Sequence, residues 1–146
     1  MPASADTQAA TLQDFLAAWK SWDANSWLAF FDDSFEHVTM PLNLGLPPKS
    51  KAEVAATLPT MMGAIRDCEF NVHETVHDPD RNKAAVYCTS QGNTDVGPWN
   101  MEYAAFITFN EQGDKVAKLE EMIDSAFMKE FAPKFQKYMR EQVSST

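Results

Sequence analysis

Residues 98–109, Pro-Trp-Asn-Met-Glu-Tyr-Ala-Ala-Phe-Ile-Thr-Phe, and residues 115–123, Lys-Val-Ala-Lys-Leu-Glu-Glu-Met-Ile, decide the fold. Apolar residues recur in them at every second position, the period of a strand with one buried face. The intervening Asn110-Glu111-Gln112-Gly113-Asp114 is turn chemistry of hairpin length, so the two strands pair antiparallel. The same period predicts strands over Phe70–His77 and Lys83–Gln91, joined by Asp78-Pro79-Asp80-Arg81-Asn82.

Upstream of these strands the period lengthens to that of a helix. Leu12, Phe15, Leu16, Trp19 and Trp22 fall on one helical face. A second helix is predicted from an Asn25/Ser26 cap through Trp27, Leu28, Phe30 and Phe31, then an extended stretch over Phe35–Met40 and a loop from Asn43 to Lys49 containing Pro47 and Pro48. Ser50 and Glu53 form a capping box for a third helix with Val54, Leu58, Met61 and Met62 inward, which Pro59 is expected to shorten or break. The last segment, from Ser125 to about Glu141, spaces Phe127, Phe131 and Phe135 as a helix with a kink at Pro133. Helices first and a meander of strands second is an α+β order, with a bent antiparallel sheet packed on the N-terminal helices.

The length of 146 residues and a 45% hydrophobic fraction fit one domain over 1–146 with its own core. The small polar residues 1–10 are expected to be a flexible extension. Twelve Lys and Arg against 21 Asp and Glu give a net charge of −9, which disfavours nucleic acid and anionic membrane surfaces as partners. Cys68 and Cys88 stand apart in sequence, outside any zinc or dithiol pattern, and read as inert core thiols of a reduced, cytoplasmic protein. The first residues lack the apolar core of a signal peptide, and no stretch reaches the length of a membrane span. With only 5 Gly there is no phosphate-cradling loop, and no nucleophile elbow or His-Glu-x-x-His motif, so no cofactor is expected. His73 and His77 lie four residues apart on a strand, roughly 13 Å, too far for one ion to bind both, so no metal is expected.

Writing the strand faces separately isolates the chemistry. Tyr103 is the one hydroxyl among Trp99, Met101, Tyr103, Ala105, Ile107 and Phe109, and Glu121 is the one carboxylate among Ala117, Leu119, Glu121 and Ile123. A carboxylate on an apolar face is costly to keep ionised, so its pKa is expected to rise toward the range of an acid/base catalyst. The competing reading is a structural Glu hydrogen-bonded to Tyr103 or to a helix end. Glu74, in Phe70, Val72, Glu74, Val76, repeats the pattern with a stronger structural alternative. His37 is a further proton carrier or a satisfied core histidine. Asp23 either lines a pocket or caps the second helix. Trp19, Trp22, Met40, Tyr87, Trp99 and Met101 are candidate walls of a substrate pocket, with Arg66 a weaker one.

Gly97-Pro98-Trp99-Asn100-Met101-Glu102-Tyr103, and Gly113-Asp114-Lys115 running on to Glu120-Glu121-Met122-Ile123-Asp124-Ser125, resemble the small fungal secondary-metabolite members of the SnoaL-like family. That family is a branch of the cone-shaped fold shared with nuclear transport factor 2, scytalone dehydratase and ketosteroid isomerase. The resemblance runs from about Leu12 to Phe135, and Met101 stands where the subgroup motif has Asn. It implies a bent sheet around a deep apolar cone closed by the N-terminal helices, and a homodimer through the outer sheet face, where Asn100, Ala104, Phe106 and Thr108 lie. It also implies a small-molecule substrate and Tyr and Glu of the last two strands as pocket residues. Together these readings give a cofactor-independent isomerase or cyclase acting on a polyketide, terpenoid or alkaloid intermediate. Glu121 would transfer the proton and Tyr103 stabilise charge on oxygen. The alternatives are a dehydratase or epoxide hydrolase that adds His37 or Asp23 as the second acid or base, and a non-catalytic binding or dimerisation module.

Overall fold

The structure, a computed structural model, describes residues 3–144. In chain order these form α1 (Ala5–Lys20), α2 (Ala24–Leu28), β1 (Phe31–Met40), β2 (Lys49–Ser50), α3 (Lys51–Ala64), β3 (Arg66–Asp78), β4 (Lys83–Thr94), β5 (Gly97–Phe109), β6 (Val116–Ile123) and α4 (Ser125–Ser144). One sheet holds the strands in the order β2-β1-β6-β5-β4-β3. The predicted meander from β3 to β6 is antiparallel throughout. The sheet is nevertheless mixed, because β1 joins β6 parallel.

The sheet bends where its ladders slip. Between Phe31↔Val116 and Glu36↔Lys118 the strand β1 advances further than its partner, so Asp32, Asp33 and Ser34 loop out. A second slip sits beside Val116 on β6 and a third at His73 on β3. Each extra residue breaks the local pairing and increases the twist. Gly92 belongs to the same bend, since a Cβ there would meet the Arg66 carbonyl oxygen at 2.8 Å where the start of β3 closes over β4.

Inside the bend α1 presents Leu12, Phe15 and Trp19, all buried. Trp19 stacks on Trp27 with ring centroids 4.5 Å apart and reaches Phe70 at 4.7 Å and Tyr103 at 5.5 Å. Phe31 stacks on Phe35 at 3.9 Å, and Phe15 touches Trp27 and Phe31. Truncating one of these rings to Ala would remove about 3–5 kcal/mol of stability, a large fraction of the roughly 5–15 kcal/mol usual for a domain.

Several expectations are corrected. Residues 5–10 are not a flexible extension: Ser4 caps α1, and Gln8 is fully buried, its amide donating to the Ala3 carbonyl while its Oε1 lies 3.0 Å from His77 Nε2. Thr11 donates to the Gly113 carbonyl at 2.6 Å, so the turn before β6 clasps this end of the helix. Residues 1 and 2 of that expected extension lie outside the described ones. The second helix is shorter than expected: Asp23, not Asn25 or Ser26, is its cap, and Phe31 already opens β1. Pro59 does not break α3, which runs 14 residues, because Pro59 and Ala55 both face solvent and water can satisfy the carbonyl the proline leaves free. Helix α4 likewise continues through Pro133.

Candidate functional site

On the concave face the ladders align Ala105 with Glu121, Tyr103 with Ile123 and Cys88 with Tyr103. The inward alternation read for Leu119, Glu121 and Ile123 therefore matches the register. The parallel ladder places Thr39 opposite Glu121 and His37 opposite Leu119. His37 Nε2 comes within 3.2 Å of Glu121 Oε1, and the two side chains keep 23% and 15% of their surface open to solvent. An imidazole and a carboxylate thus meet, both partly exposed, at the edge of an aromatic and aliphatic core. Phe35 stacks on the His37 ring at 6.5 Å.

Tyr103 lies deeper, 5% exposed. Burial, first of all, holds its phenol well above the ordinary value, the nearby Ser90 side chain opposes the shift, and the Glu121 carboxylate adds to it. The phenol consequently stays protonated across neutral pH and acts as a hydrogen-bond donor. Burial also pushes the Cys68 thiol up to about 11 and the Cys88 thiol to about 12, the latter helped by the negative charge of Glu121. Protonated thiols make poor nucleophiles and poor ligands. Among the described residues no group of three or more His, Cys, Asp or Glu could hold a metal ion.

Other candidates lie elsewhere. Asp23 is an exposed helix cap that accepts from the Ser26 backbone at 3.2 Å and from the Ser26 hydroxyl, so it does not face the interior. Glu74 does not point inward either. The slip at His73 pairs Val72 with Cys88 but Glu74 with Tyr87, which exchanges the faces and sends Glu74 and Val76 outward while His77 turns in. Tyr87 is on that outer face, donating to Glu102 Oε2 at 2.5 Å. Met40 pairs with Met122, which pairs with outward Ala104, so it too belongs to the outer face. The expected pocket positions of Glu74, Tyr87 and Met40 are thus overturned by strand register. Arg66 is engaged at the surface with Asp95 at 2.8 Å.

The tryptophans divide by role. Trp19 packs against Tyr103 inside the bend. Trp22, in the left-handed region at φ 55°, donates its indole N–H to the Met62 carbonyl at 3.1 Å and ties the end of α1 to α3. Trp99 is buried with Met101 and donates to Ser90 Oγ at 2.9 Å. Sequence reasoning passed over Ser90 and Thr39. Ser90 was legible as the polar member of the inward series Ala84, Val86, Cys88, Ser90, and Thr39 as the residue two beyond His37.

The SnoaL-like domain family matches residues 12–119. A relative named "Monooxygenase AgnL5", from Paecilomyces divaricatus, is 54% identical over 140 residues, covering 96% of this chain and 87% of its own. Among solved structures, BvnE pinacolase from Penicillium brevicompactum superposes with a TM-score of 0.83 at 16% identity, covering 91% of this chain and 93% of its own. AusH from Aspergillus nidulans superposes with a TM-score of 0.74 at 25% identity, covering 85% of this chain and 88% of its own.

The electrostatics of the two thiols can be checked directly. At pH 8 the folded protein is expected to react with a thiol-specific disulfide reagent at well under two equivalents on the timescale on which the urea-unfolded chain gives both. Glu121→Gln should speed the reaction of Cys88 at higher pH, because removing the adjacent negative charge lowers that thiol's pKa. Full native reactivity at pH 8 would contradict the burial.

Proposed function

The chain belongs to the SnoaL-like domain family, and we propose that it is an enzyme of fungal secondary metabolism that works by acid/base proton transfer on a small organic intermediate. The observation that carries this reading is the contact between His37 and Glu121 at 3.2 Å, solvent-accessible at the edge of an apolar interior and in electrostatic reach of Tyr103. Glu121, with His37 holding or sharing the proton, removes a proton from an acidic C–H or O–H of the substrate. Tyr103 donates a hydrogen bond to the oxygen on which negative charge then grows. The buried rings of Trp19, Phe35 and Phe70 keep the inner side of this pair apolar and dry. Return of the proton at another atom, or closure of a ring by the carbanion, gives an isomerase or cyclase.

A second fate for the same anion is favoured by the name of the AgnL5 relative. A carbanion formed from a methylene can reduce dioxygen. The resulting hydroperoxide loses water, so that the CH2 and O2 become a carbonyl and H2O. Both fates begin with the same proton transfer, and the Glu121–His37 pair serves either.

Replacing Glu121 with Gln keeps volume and hydrogen bonding but removes the titratable proton. Turnover of the substrate that the wild-type protein consumes is therefore expected to fall about 100-fold or more, with the fold intact by circular dichroism. Tyr103→Phe should cost less, since the ring still packs. An unimpaired Glu121→Gln enzyme would remove the carboxylate from the chemistry. Running the wild-type reaction in an oxygen electrode separates the two fates. Unchanged product under argon supports isomerisation or cyclisation. Stoichiometric oxygen uptake, abolished with turnover in Glu121→Gln, supports oxygenation.

The second proposal concerns assembly. Across the outer face the register lines up Val76, Ala85, Phe106, Glu120 and Val38 in one row and Glu74, Tyr87, Ala104, Met122 and Met40 in the next, apolar side chains with one carboxylate in each row. Phe106 is 44% exposed there and Met122 43%. Two copies stacking these faces would cover the patch. Light scattering at tens of micromolar should give a dimer mass for the wild type and a monomer mass for Phe106→Glu, while a wild-type monomer would contradict it.

A further inference from the structure

A carboxylate has two oxygens, and a base that is free to turn is poorly aimed. The protein holds Glu121 by one of them. Oε1 lies 3.2 Å from His37 Nε2, and among the described residues no side chain hydrogen-bonds to Oε2. In the sheet Glu121 is flanked by Thr39 on β1 and by Ala105 on β5, and neither takes that second oxygen. The parallel β1–β6 ladder, which sets His37 opposite Leu119 and Thr39 opposite Glu121, therefore gives the carboxylate one side-chain partner.

The direction of that contact follows from its two ends, both of which keep part of their surface open to water. A carboxyl is a stronger acid than an imidazolium, so in such a pair the carboxyl gives up its proton first. An ionised carboxylate can only accept. The nitrogen facing it then carries the hydrogen whether the ring is neutral or charged, because a bare nitrogen lone pair would face a negative oxygen. The plane of the ring is set from the core. His37 lies within 14° of parallel to Phe35 at 6.5 Å, and Phe35 within 12° of Phe31 at 3.9 Å. Both phenylalanines are buried, so a column of rings anchored in the core orients the imidazole that meets β6.

We infer that His37 is a positioning residue for Glu121: its Nε2–H holds Oε1 and leaves Oε2 as the atom that takes the substrate proton. The inference rests on the acid/base reading above and narrows the part His37 plays in it. The substrate proton passes to Oε2, the electron pair of the broken C–H or O–H bond stays on the substrate, and the His37 hydrogen remains on Nε2. Such a role needs a donor of the right reach and not a titrating group. Glutamine meets that need, since its amide nitrogen sits about where imidazole Nε2 does and stays neutral.

The polarity is read without substrate. The chain has three histidines, so the imidazole nitrogen resonances of His37 in a 15N-labelled sample are assigned by their loss in His37→Gln. At pH 8 they should show hydrogen on Nε2 and none on Nδ1, and the opposite tautomer overturns the inference. On the substrate, His37→Gln should keep kcat within about threefold of wild type, while His37→Leu should lower it about tenfold with little change in KM and the fold intact by circular dichroism. In a Glu121→Gln background His37→Leu should add no further loss, because its effect runs through the carboxylate. If His37→Gln falls as far as His37→Leu, or His37→Leu costs the same with and without Glu121, the inference is overturned and the acid/base reading of Glu121 stands. Full turnover in Glu121→Gln and in His37→Leu overturns that reading, and the inference with it.

Discussion

The arrangement of the whole site depends on one pairing, the parallel ladder between β1 and β6. Every other neighbour in the sheet is reached by an antiparallel step, three of them through short turns. β1, early in the chain, is instead slotted beside β6, the last strand in sequence. The junction is held at its start by the Val116 amide on the Phe30 carbonyl at 2.8 Å and by Lys115 Nζ on the Ala29 carbonyl at 2.6 Å. Asn110 also donates to Asp32 Oδ1 at 3.1 Å. From there the ladder carries His37 and Thr39 to Leu119 and Glu121, so that a histidine and a glutamate 84 positions apart come into hydrogen-bond range.

Much of this was legible before any coordinates. Alternation alone put Tyr103 and Glu121 on the inner faces of β5 and β6, and it succeeded because that stretch of β6 lies beyond the slip beside Val116. The same rule failed for Glu74 because one extra residue at His73 exchanges the faces of β3, and a bulge in a run as regular as Phe70 to Val76 has no glycine or proline to announce it. Tyr87 and Met40 were misplaced for a related reason. Aromatic and sulfur side chains read as pocket walls when counted by type, but here they lie among charged residues on a partly apolar outer face. His37 was singled out, but its partner could not be, since nothing in the spacing of a strand announces which distant strand it will lie against.

The helices show the opposite balance between local and tertiary signals. The flexible reading of residues 5–10 failed because their polarity is used internally: Gln8 is enclosed between the Ala3 carbonyl, the Pro79 carbonyl and His77, where solvent exposure had been inferred from residue type. In α3, Pro59 is tolerated because its position on the helix faces water. In α4 the Phe127, Phe131 and Phe135 stripe was read correctly as helical, but its target, Trp99, became visible only once the β4–β5 turn had been placed beneath it. Through Trp99 that contact links α4 to Ser90 on β4.

A crystal structure with the reaction product bound tests the account most directly, because it asks where the small molecule sits. The account predicts the product on the concave face, with one of its polar atoms within about 3.2 Å of Glu121 or His37 and an oxygen on the Tyr103 hydroxyl. A product bound instead in the open groove lined by Asp67, Glu69, Gln91, Asn93 and Asn100, with the His37–Glu121 contact intact and untouched, would contradict it.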